Sequence, residues 1–568
     1  MHIRLHFTKT TLLAAALLAA SLPASAQSTD AAPAPAAAAP ASSQPSNQDI
    51  QQTLEQLKQL IQQQSQQLQQ QQQEINALES KHPVQPPPGT PVPAPGATAQ
   101  SSSSTQPPAA VSAAVTGGAI VQQEPSGTPY HQFEEASPLF LKLGSATFTP
   151  GGWIDFTSIY RTTDVGSGFT TALATIPFNN TAQGGLSENR LTAANSRLSL
   201  RVDEAFGKTK VYGYGEIDFN GTAPGNVYVS TNSDVTRLRV FYLNLSAGKW
   251  DVLGGQSWSL LTPNRSGLSP FLSEIYNTVH LDTAYNAGIV YARQAQLRVV
   301  YHFTPNLALG LSAENPEQFS GAAVTFPAAF NTAETDLNSS SGSNTVANLH
   351  PDVIAKIAYD HKFGTRNWHV EAAGLLTPVA IATTPTSSKP SVEDRREGGG
   401  VAVNTNLEVA KGLHLIADSF WSDGGGRYIG GLGPQFVVAQ FGSTNAPLTA
   451  ELVHAGAGLG GFEYQATKST LVSLIYGGAY FDRVFSVDPS NSHLVGYGFT
   501  GSANTNNRFI QEGTFATVTS LFKKPSYGAV QLITQFSYIE RTPWYVAPGA
   551  PRNGHLLENY FDIRYVLP

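Results

Sequence analysis

Apolar and polar side chains alternate with period two over most of residues 130–568, the pattern of β-strands whose two faces meet different surroundings. In the first clear segment Ile154, Phe156 and Tyr160 share one face, and the alternation recurs at 197–203. A soluble sheet turns its polar face to water, whereas a membrane barrel turns its apolar face to lipid and its polar face to the lumen. One strand alone does not separate these two architectures.

The connections between the segments do separate them, because short and long connections alternate strictly. Seven short turns are predicted at 205–208, 246–249, 304–306, 361–365, 410–412, 466–468 and 523–526. Eight long loops are predicted at 162–193, 220–234, 258–286, 316–349, 377–397, 423–450, 482–507 and 542–555. Short turns on one side, long loops on the other and an even strand number are typical of bacterial outer-membrane barrels. We therefore predict an all-β transmembrane β-barrel of about 16 antiparallel strands, with eighteen strands as the alternative.

Residues 1–26 have the features of a signal peptide. Arg4 and Lys9 supply the positive charge, an apolar stretch follows, and residues 24–26 form a small-residue cleavage site. The apolar stretch is too short to span a bilayer, which argues against an anchor helix. We expect the chain to be exported and its mature form to begin at Gln27.

Residues 48–80 predict an α-helical coiled coil, because apolar positions recur there at alternating steps of four and three. Its core positions are Ile50, Leu54, Leu57, Ile61, Gln64, Leu68, Gln71, Ile75 and Leu78. A disordered Gln-rich tract is the alternative interpretation. Because a rod of this kind does not bury its apolar seam alone, we expect an oligomer and prefer a homotrimer. An Ala/Pro/Ser-rich disordered spacer at 27–47 and a Pro/Ser-rich linker at 81–129 flank the rod.

Composition narrows the classes of protein that remain. Charged residues make up 13% of the chain and hydrophobic residues 41%, which fits strands with one lipid-facing and one polar face. The absence of Cys excludes disulfides and thiolate sites, and a net charge of -7 provides no basic field for nucleic acid. The sequence has no G-x-S-x-G, H-E-x-x-H or Walker motif, so we expect no enzyme activity, no cofactor and no metal.

Charged and polar residues on the inward face of the early strands are the candidate functional residues. By parity the pore-lining set is Arg197, Arg201, Arg237, Arg239, Arg298, Tyr214, Glu216, Asp218 and Gln256. Arginines that face an acidic patch would set up a transverse field, which orients charged solutes in the lumen. The alternative is that these charges only solvate the wall or pair with one another.

Seven segments, taken in chain order, resemble the DcaP-type branch of outer-membrane porins. They are 195–201, 237–239, 255–259, 293–298, 313–316, 351–357 and 424–429. The resemblance implies a trimeric porin of sixteen strands with an N-terminal periplasmic coiled coil. By analogy with general porins, the loop at 258–286 folds inward and forms the constriction, with Trp258 and Arg265 as its candidate residues. The alternative for Trp258 is an aromatic girdle at the extracellular interface.

We therefore expect an outer-membrane porin for passive diffusion of small hydrophilic solutes, with anions favoured by the arginines. The expected partners are outer-membrane lipid and lipopolysaccharide, further copies of the chain in a homotrimer, and peptidoglycan through the periplasmic N-terminal region. The alternative function is a structural barrel that tethers the membrane to the cell wall through its coiled coil. A trimeric adhesin fits less well, because an adhesin keeps only a short barrel segment in each chain.

Overall fold

A computed structural model describes residues 139–221, 234–271, 280–320, 324–330, 350–382, 393–524 and 526–568. The predicted signal peptide, spacer, coiled coil and linker, and the first residues assigned to the barrel, lie outside the described residues.

Sixteen long antiparallel strands form one closed barrel. The first eight are β1 Ala146–Arg161, β2 Arg197–Phe206, β3 Thr209–Gly221, β4 Val235–Ala247, β5 Trp250–Trp258, β6 Arg293–Thr304, β7 Leu307–Glu314 and β8 Asp352–Phe363. The second eight are β9 Arg366–Ala382, β10 Glu393–Ala410, β11 Leu413–Asp423, β12 His454–Gln465, β13 Thr470–Phe481, β14 Asn507–Lys524, β15 Gly528–Pro543 and β16 Gly554–Val566. β1 pairs with β2 on one side and with β16 on the other, which closes the sheet. The predicted sixteen-stranded barrel is confirmed.

Shorter elements flank the barrel strands: Leu141–Leu143 lies at the short-turn end of β1, and the others lie on the extracellular side. The additional strands are Leu141–Leu143 and Glu188–Thr192, which pair with β1, and two loop hairpins, Phe436–Gln440 with Leu448–Leu452 and Val484–Val487 with Leu494–Tyr497. In the described part of the chain, single 3-10 turns lie at Leu173–Thr175, Gln183–Gly185 and Gly426–Tyr428. Within the described residues, no helix has the length and apolar character needed to cross a membrane.

The short connections follow from hairpin geometry. Two-residue turns join β2 to β3 and β4 to β5, and they contain Gly207 and Gly248 at φ angles of 61° and 62°. Such tight hairpins need a left-handed residue, which glycine adopts without a steric cost. All seven short connections lie at one end of the barrel and the eight long ones at the other, as the sequence predicts.

The two faces of the wall differ in polarity as a membrane barrel requires. On β2, Leu198 and Leu200 point outward, and their exposed fractions are 46% and 45%. Arg197 on the same strand points inward and is fully buried. An apolar exterior lowers the free energy of the barrel in lipid, and a polar interior is tolerated because water and charge partners fill it.

Candidate functional site

The long connection between β5 and β6, of which the structure describes residues 259–271 and 280–292, enters the barrel and is attached to the opposite wall. The guanidinium of Arg265 donates from Nη2 to both carboxylate oxygens of Glu463 on β12, at 2.8 and 2.7 Å. Its neighbour Gly267 donates its backbone N–H to Asp360 on β8, at 3.0 Å. The described part of the loop therefore reaches from β5 across the interior to β12.

A second attachment holds the returning half of this loop. Glu512 on β14 accepts hydrogen bonds from the backbone N–H of Ala287, at 2.9 Å, and lies 2.8 Å from Nε2 of His280. All three groups are buried. Hydrogen bonds to a charged group contribute about 1.5–3 kcal/mol each, so Glu512 fixes the position of the loop strongly.

Directly after the second attachment the loop backbone lies on the barrel wall. A Cβ placed on Gly288 would lie 2.2 Å from the carbonyl oxygen of Gly458 and 2.6 Å from the nitrogen of Gly478. Gly288 also has a φ of 95°, which side-chain-bearing residues rarely adopt. Three glycines therefore allow an approach of loop to wall that larger residues would block.

The inward faces of β2, β3 and β4 carry a network of three guanidiniums and two carboxylates. Arg237 binds both oxygens of Asp218, at 3.0 and 2.7 Å. Arg239 binds Glu216 at 2.5 Å and Asp218 at 2.8 Å, and Arg197 lies 3.2 Å from Glu216. Two-pronged contacts of this kind hold planar guanidiniums in fixed orientations.

A fourth guanidinium, that of Arg293 at the start of β6, adds to this cluster. Its Nε and Nη1 atoms make no hydrogen bond within the described residues, and its Cζ lies 5.8 Å from the ring centroid of Trp258. The Trp258 ring is also 5.9 Å from Cζ of Arg239. We call Arg197, Arg237, Arg239 and Arg293 with Glu216 and Asp218 the arginine cluster. Its four guanidiniums and two carboxylates carry a formal charge of +2.

Trp258 belongs to the interior and not to a girdle at the membrane interface. Its side chain is 3% exposed and makes edge contacts with Tyr285 and Tyr291 of the inward-folded loop, at 6.0 and 6.4 Å between ring centroids. The strand that ends at Trp258 therefore leads straight into the interior, where the arginine cluster and the loop meet. Of the two sequence-based interpretations of this residue, the structure agrees with the lumen.

The remaining predicted residues lie nearer the short-turn end. Arg298 on β6 donates to the Trp258 carbonyl at 2.5 Å and to Gln296 at 3.0 Å, and Arg201 on β2 pairs with Asp203 at 2.5 Å. Arg201 and Arg298 line a recess of about 590 Å³ beneath the loop, which opens toward the short turns. The recess is a water-accessible part of the interior with charged walls.

Tyr214 on β3 also points inward, and its hydroxyl donates to Glu216 at 3.1 Å. This hydrogen bond adds a neutral donor to a carboxylate that two arginines already contact. Tyr214 thus supports the arginine cluster from the side of the short turns.

Gln256 corrects the sequence-based set, because it lies on the outward face of β5. Its partners in register are Phe241 and Ala295, both of which are exposed on the outside of the barrel. Gly255, with a φ of 132°, distorts the strand at this point. The Gln256 amide donates to the backbone carbonyl of Arg239 at 3.0 Å, so it braces the wall and does not line the lumen.

The structure shows how the arginines and the acidic residues of the neighbouring strand are arranged. Glu216 and Asp218 do not face the arginines across the lumen but pair with them directly on adjacent strands. Part of the alternative, that these charges pair with one another, is therefore correct. A solute in the lumen therefore meets the net positive charge of the arginine cluster, which has more guanidiniums than carboxylates.

Sequence reasoning missed several buried ion pairs elsewhere on the inner wall. They are Lys356–Glu371, Arg564–Asp155, Arg161–Glu558 and Arg427–Asp352. All members except Arg427, which is in a loop, lie on barrel strands. The alternation of inward and outward positions along each strand would have placed these strand residues in the interior. Their partners follow only from the register between strands.

Comparison with solved structures identifies the fold. The outer membrane channel DcaP of Acinetobacter baumannii is 18% identical over 75% of this chain and 99% of its own, with a TM-score of 0.51. At this identity the likeness shows the fold, and it confirms the predicted resemblance to DcaP at that level. An anion-selective porin from Comamonas acidovorans is 12% identical over 74% of this chain and 100% of its own, with a TM-score of 0.41. No family model and no curated protein matches the chain.

Proposed function

We propose that this protein is an outer-membrane porin through which small hydrophilic solutes diffuse passively, with a preference for anions. The observation that carries the proposal is the arginine cluster of formal charge +2, which lies beside a loop that narrows the barrel. A narrow, polar passage selects by width and by the charge of its walls, and it needs no bond chemistry.

Two features of the arginine cluster suit a passing anion. Arg237 keeps 18% of its side chain exposed, so part of this guanidinium is within reach of a passing solute. Asp218 and Glu216 hold the neighbouring guanidiniums in place, which reduces the reorganisation that an arriving anion requires. An excess of two charges attracts an anion without trapping it, because conduction requires weak binding.

Planar-bilayer recording of the purified protein tests the channel proposal. We expect stepwise increases in current as single molecules insert, with a linear current–voltage relation at low voltage. A correctly folded barrel that produces no steps would contradict the porin proposal and would favour the structural tether.

We further propose that the chain assembles as a homotrimer and that residues 48–80 stabilise this assembly from the periplasm. The supporting observation is the heptad pattern of that segment, with nine core positions. Deletion of residues 48–80 should lower the temperature at which the trimer dissociates on semi-native gels, while the barrel monomer keeps its own heat-modifiable shift. Substitution of Leu54, Ile61 and Leu68 by Asn should act in the same direction, and an unchanged dissociation temperature would contradict the role of the rod.

A further inference from the structure

A row of large side chains crosses the outside of the barrel near the extracellular ends of β10 to β14. The row follows the register from strand to strand and contains four large residues, Val401, Trp421, Tyr480 and Phe509, with Gly456 between Trp421 and Tyr480. Val401 and Trp421 are 62% and 61% exposed. A Cβ on Gly456 would lie 2.4 Å from the indole of Trp421, so this glycine lets the ring lie flat against the wall.

Small side chains lie in the middle of the next two rows toward the short turns, which also contain the exposed Val403 and Tyr476. The second row places Ser419, Gly458 and Gly478 side by side, and the third places Ala417 next to Gly460. The aromatic row, together with Val403, Ser419 and Gly478 of the second row, lines a groove of about 320 Å³ on the lipid-facing surface. We call it the outer groove.

Large side chains close the lower end of the outer groove. Tyr476 lies in the third row beside Gly460, and Phe462 and Leu474 are paired in the fourth row. All three are exposed to the outside. The outer groove is therefore a short recess near the extracellular end of the wall.

Two arginines sit at the upper end of the outer groove. The Cζ atoms of Arg483 and Arg508 lie 5.4 and 5.1 Å from the ring centroid of Trp544. Both side chains are exposed, and neither has an ion-pair partner within the part of the chain that the structure describes. The nearby Asp482 already accepts from the Tyr480 hydroxyl, at 3.2 Å, and from the backbone N–H of Arg483, at 2.8 Å.

Tyr480 connects the two features. Its ring lines the outer groove and also makes an edge contact with Trp544, at 6.2 Å between centroids. The cationic pair and the apolar groove are therefore continuous along one line of the barrel surface. A ligand with an anionic head and linear apolar tails matches both parts at once.

We propose that the outer groove and the Arg483–Arg508 pair form a binding site for a phosphorylated glycolipid of the outer leaflet, the lipid A part of lipopolysaccharide. A phosphate binds between the two guanidiniums, since planar arginines form charge-assisted hydrogen bonds with phosphate, and one acyl chain lies over the small residues of the groove. The proposal rests on the outer-membrane location stated under the proposed function, and it does not depend on conduction or anion preference.

The position of the site favours a lipid over a second copy of the chain as occupant. The outer groove opens toward the hydrocarbon, and the two arginines lie at its extracellular end. A second barrel would have to cover the 61%-exposed Trp421 and place acidic groups opposite both Arg483 and Arg508. Charge complementarity therefore points to an anionic lipid.

Native mass spectrometry of the full-length protein, extracted in mild detergent from membranes that contain lipopolysaccharide, tests the site. Wild type should retain a bound glycolipid through a delipidating wash. Arg483→Gln/Arg508→Gln should reduce the retained glycolipid by about tenfold or more, because two charge-assisted contacts are lost. Ser419→Leu, which narrows the outer groove, should reduce it independently of the charges.

Two matched controls keep this test decisive. Arg395→Gln removes an exposed arginine at the same extracellular end that is paired with Glu393, and Ala295→Leu adds a side chain to the outward face of β6. Both controls should retain the glycolipid like wild type. Equal retention in Arg483→Gln/Arg508→Gln, retention of ordinary phospholipid alone, or a cross-linked second barrel at Trp421 would each overturn the proposal. Conductance of the same samples reports separately on the porin proposal and should not change.

Discussion

Replacement of Arg237 and Arg293 by Glu is expected to convert the channel from anion preference to cation preference. The change turns the arginine cluster from four guanidiniums against two carboxylates into two against four, from +2 to -2. The buried Arg197 and Arg239 remain in place, so Glu216 and Asp218 keep partners and the wall keeps its packing. The zero-current potential in a KCl gradient should therefore change sign.

The size of this effect follows from Coulomb's law. A unit charge about 7 Å from a permeating ion acts with about 0.6 kcal/mol in water, and salt at ~0.1 M roughly halves that value. Four unit charges then disfavour an anion by about 1.2 kcal/mol and favour a cation by the same amount, which changes the permeability ratio roughly fiftyfold. The low-dielectric walls of the barrel strengthen the effect further.

The control for this prediction is Arg395→Glu/Arg396→Glu. Both arginines lie at the extracellular end of β10, where their side chains are 40% and 43% exposed, and the total change in charge is the same. Because these positions face bulk water away from the constriction, the permeability ratio should stay within about twofold of wild type. A similar shift in both double variants would show that the arginine cluster has no special role.

Replacement of Glu512 by Ala is expected to release the constriction loop. The substitution removes the partner of His280 and of the Ala287 N–H, which together contribute at least about 3 kcal/mol. A loss of that size raises the population of displaced loop conformations about 100-fold or more. Single-channel records should show larger conductance and frequent substates, while the strands of the barrel keep their hydrogen bonds.

Glu540→Ala is the matched control for the loop. Glu540 lies on the neighbouring strand, points outward and bonds to Gln511 and Tyr538, so its removal also costs two hydrogen bonds but none to the loop. Its single-channel record should match wild type. If Glu512→Ala also behaves like wild type, while the heat-modifiable gel shift shows a folded barrel, the loop does not set the width of the passage.

The barrel could be predicted from sequence because lipid and lumen impose opposite polarity on successive residues. The segment 197–203 alternates from its first residue and falls within β2, Arg197–Phe206. Parity also placed Arg197, Glu216 and Asp218 inside, where the structure has them. The sorting of loops by length identified the architecture without knowledge of any strand pair.

Prediction failed where the chain leaves the membrane, because alternation is no longer required there. The predicted loop 377–397 is in fact shorter, since β9 continues to Ala382 and β10 begins at Glu393, a paired position in the ladder. The charged residues at the start of β10 resemble a loop in the sequence. They belong to the strand, because a strand that extends beyond the bilayer tolerates charge on both faces.

Prediction also failed where a β-bulge interrupts the two-residue alternation of a strand. On β4 a bulge makes Glu216 pair with Val240 and Ile217 with Leu238, so Arg239 and Val240 are both buried. Gly255 produces a similar break beside Gln256. A bulge shifts the alternation of inward and outward side chains by one residue. The sequence does not reveal its position, because residues found at bulges, such as glycine, also occur in turns and loops.

The measurement that tests the account most directly is the zero-current potential of the wild-type channel in a tenfold KCl gradient across a planar bilayer. The arginine cluster predicts a potential of the sign that chloride permeation produces, which should grow as the salt concentration is lowered and screening weakens. A potential of the sign that potassium permeation produces, in a channel that otherwise conducts normally, would contradict it.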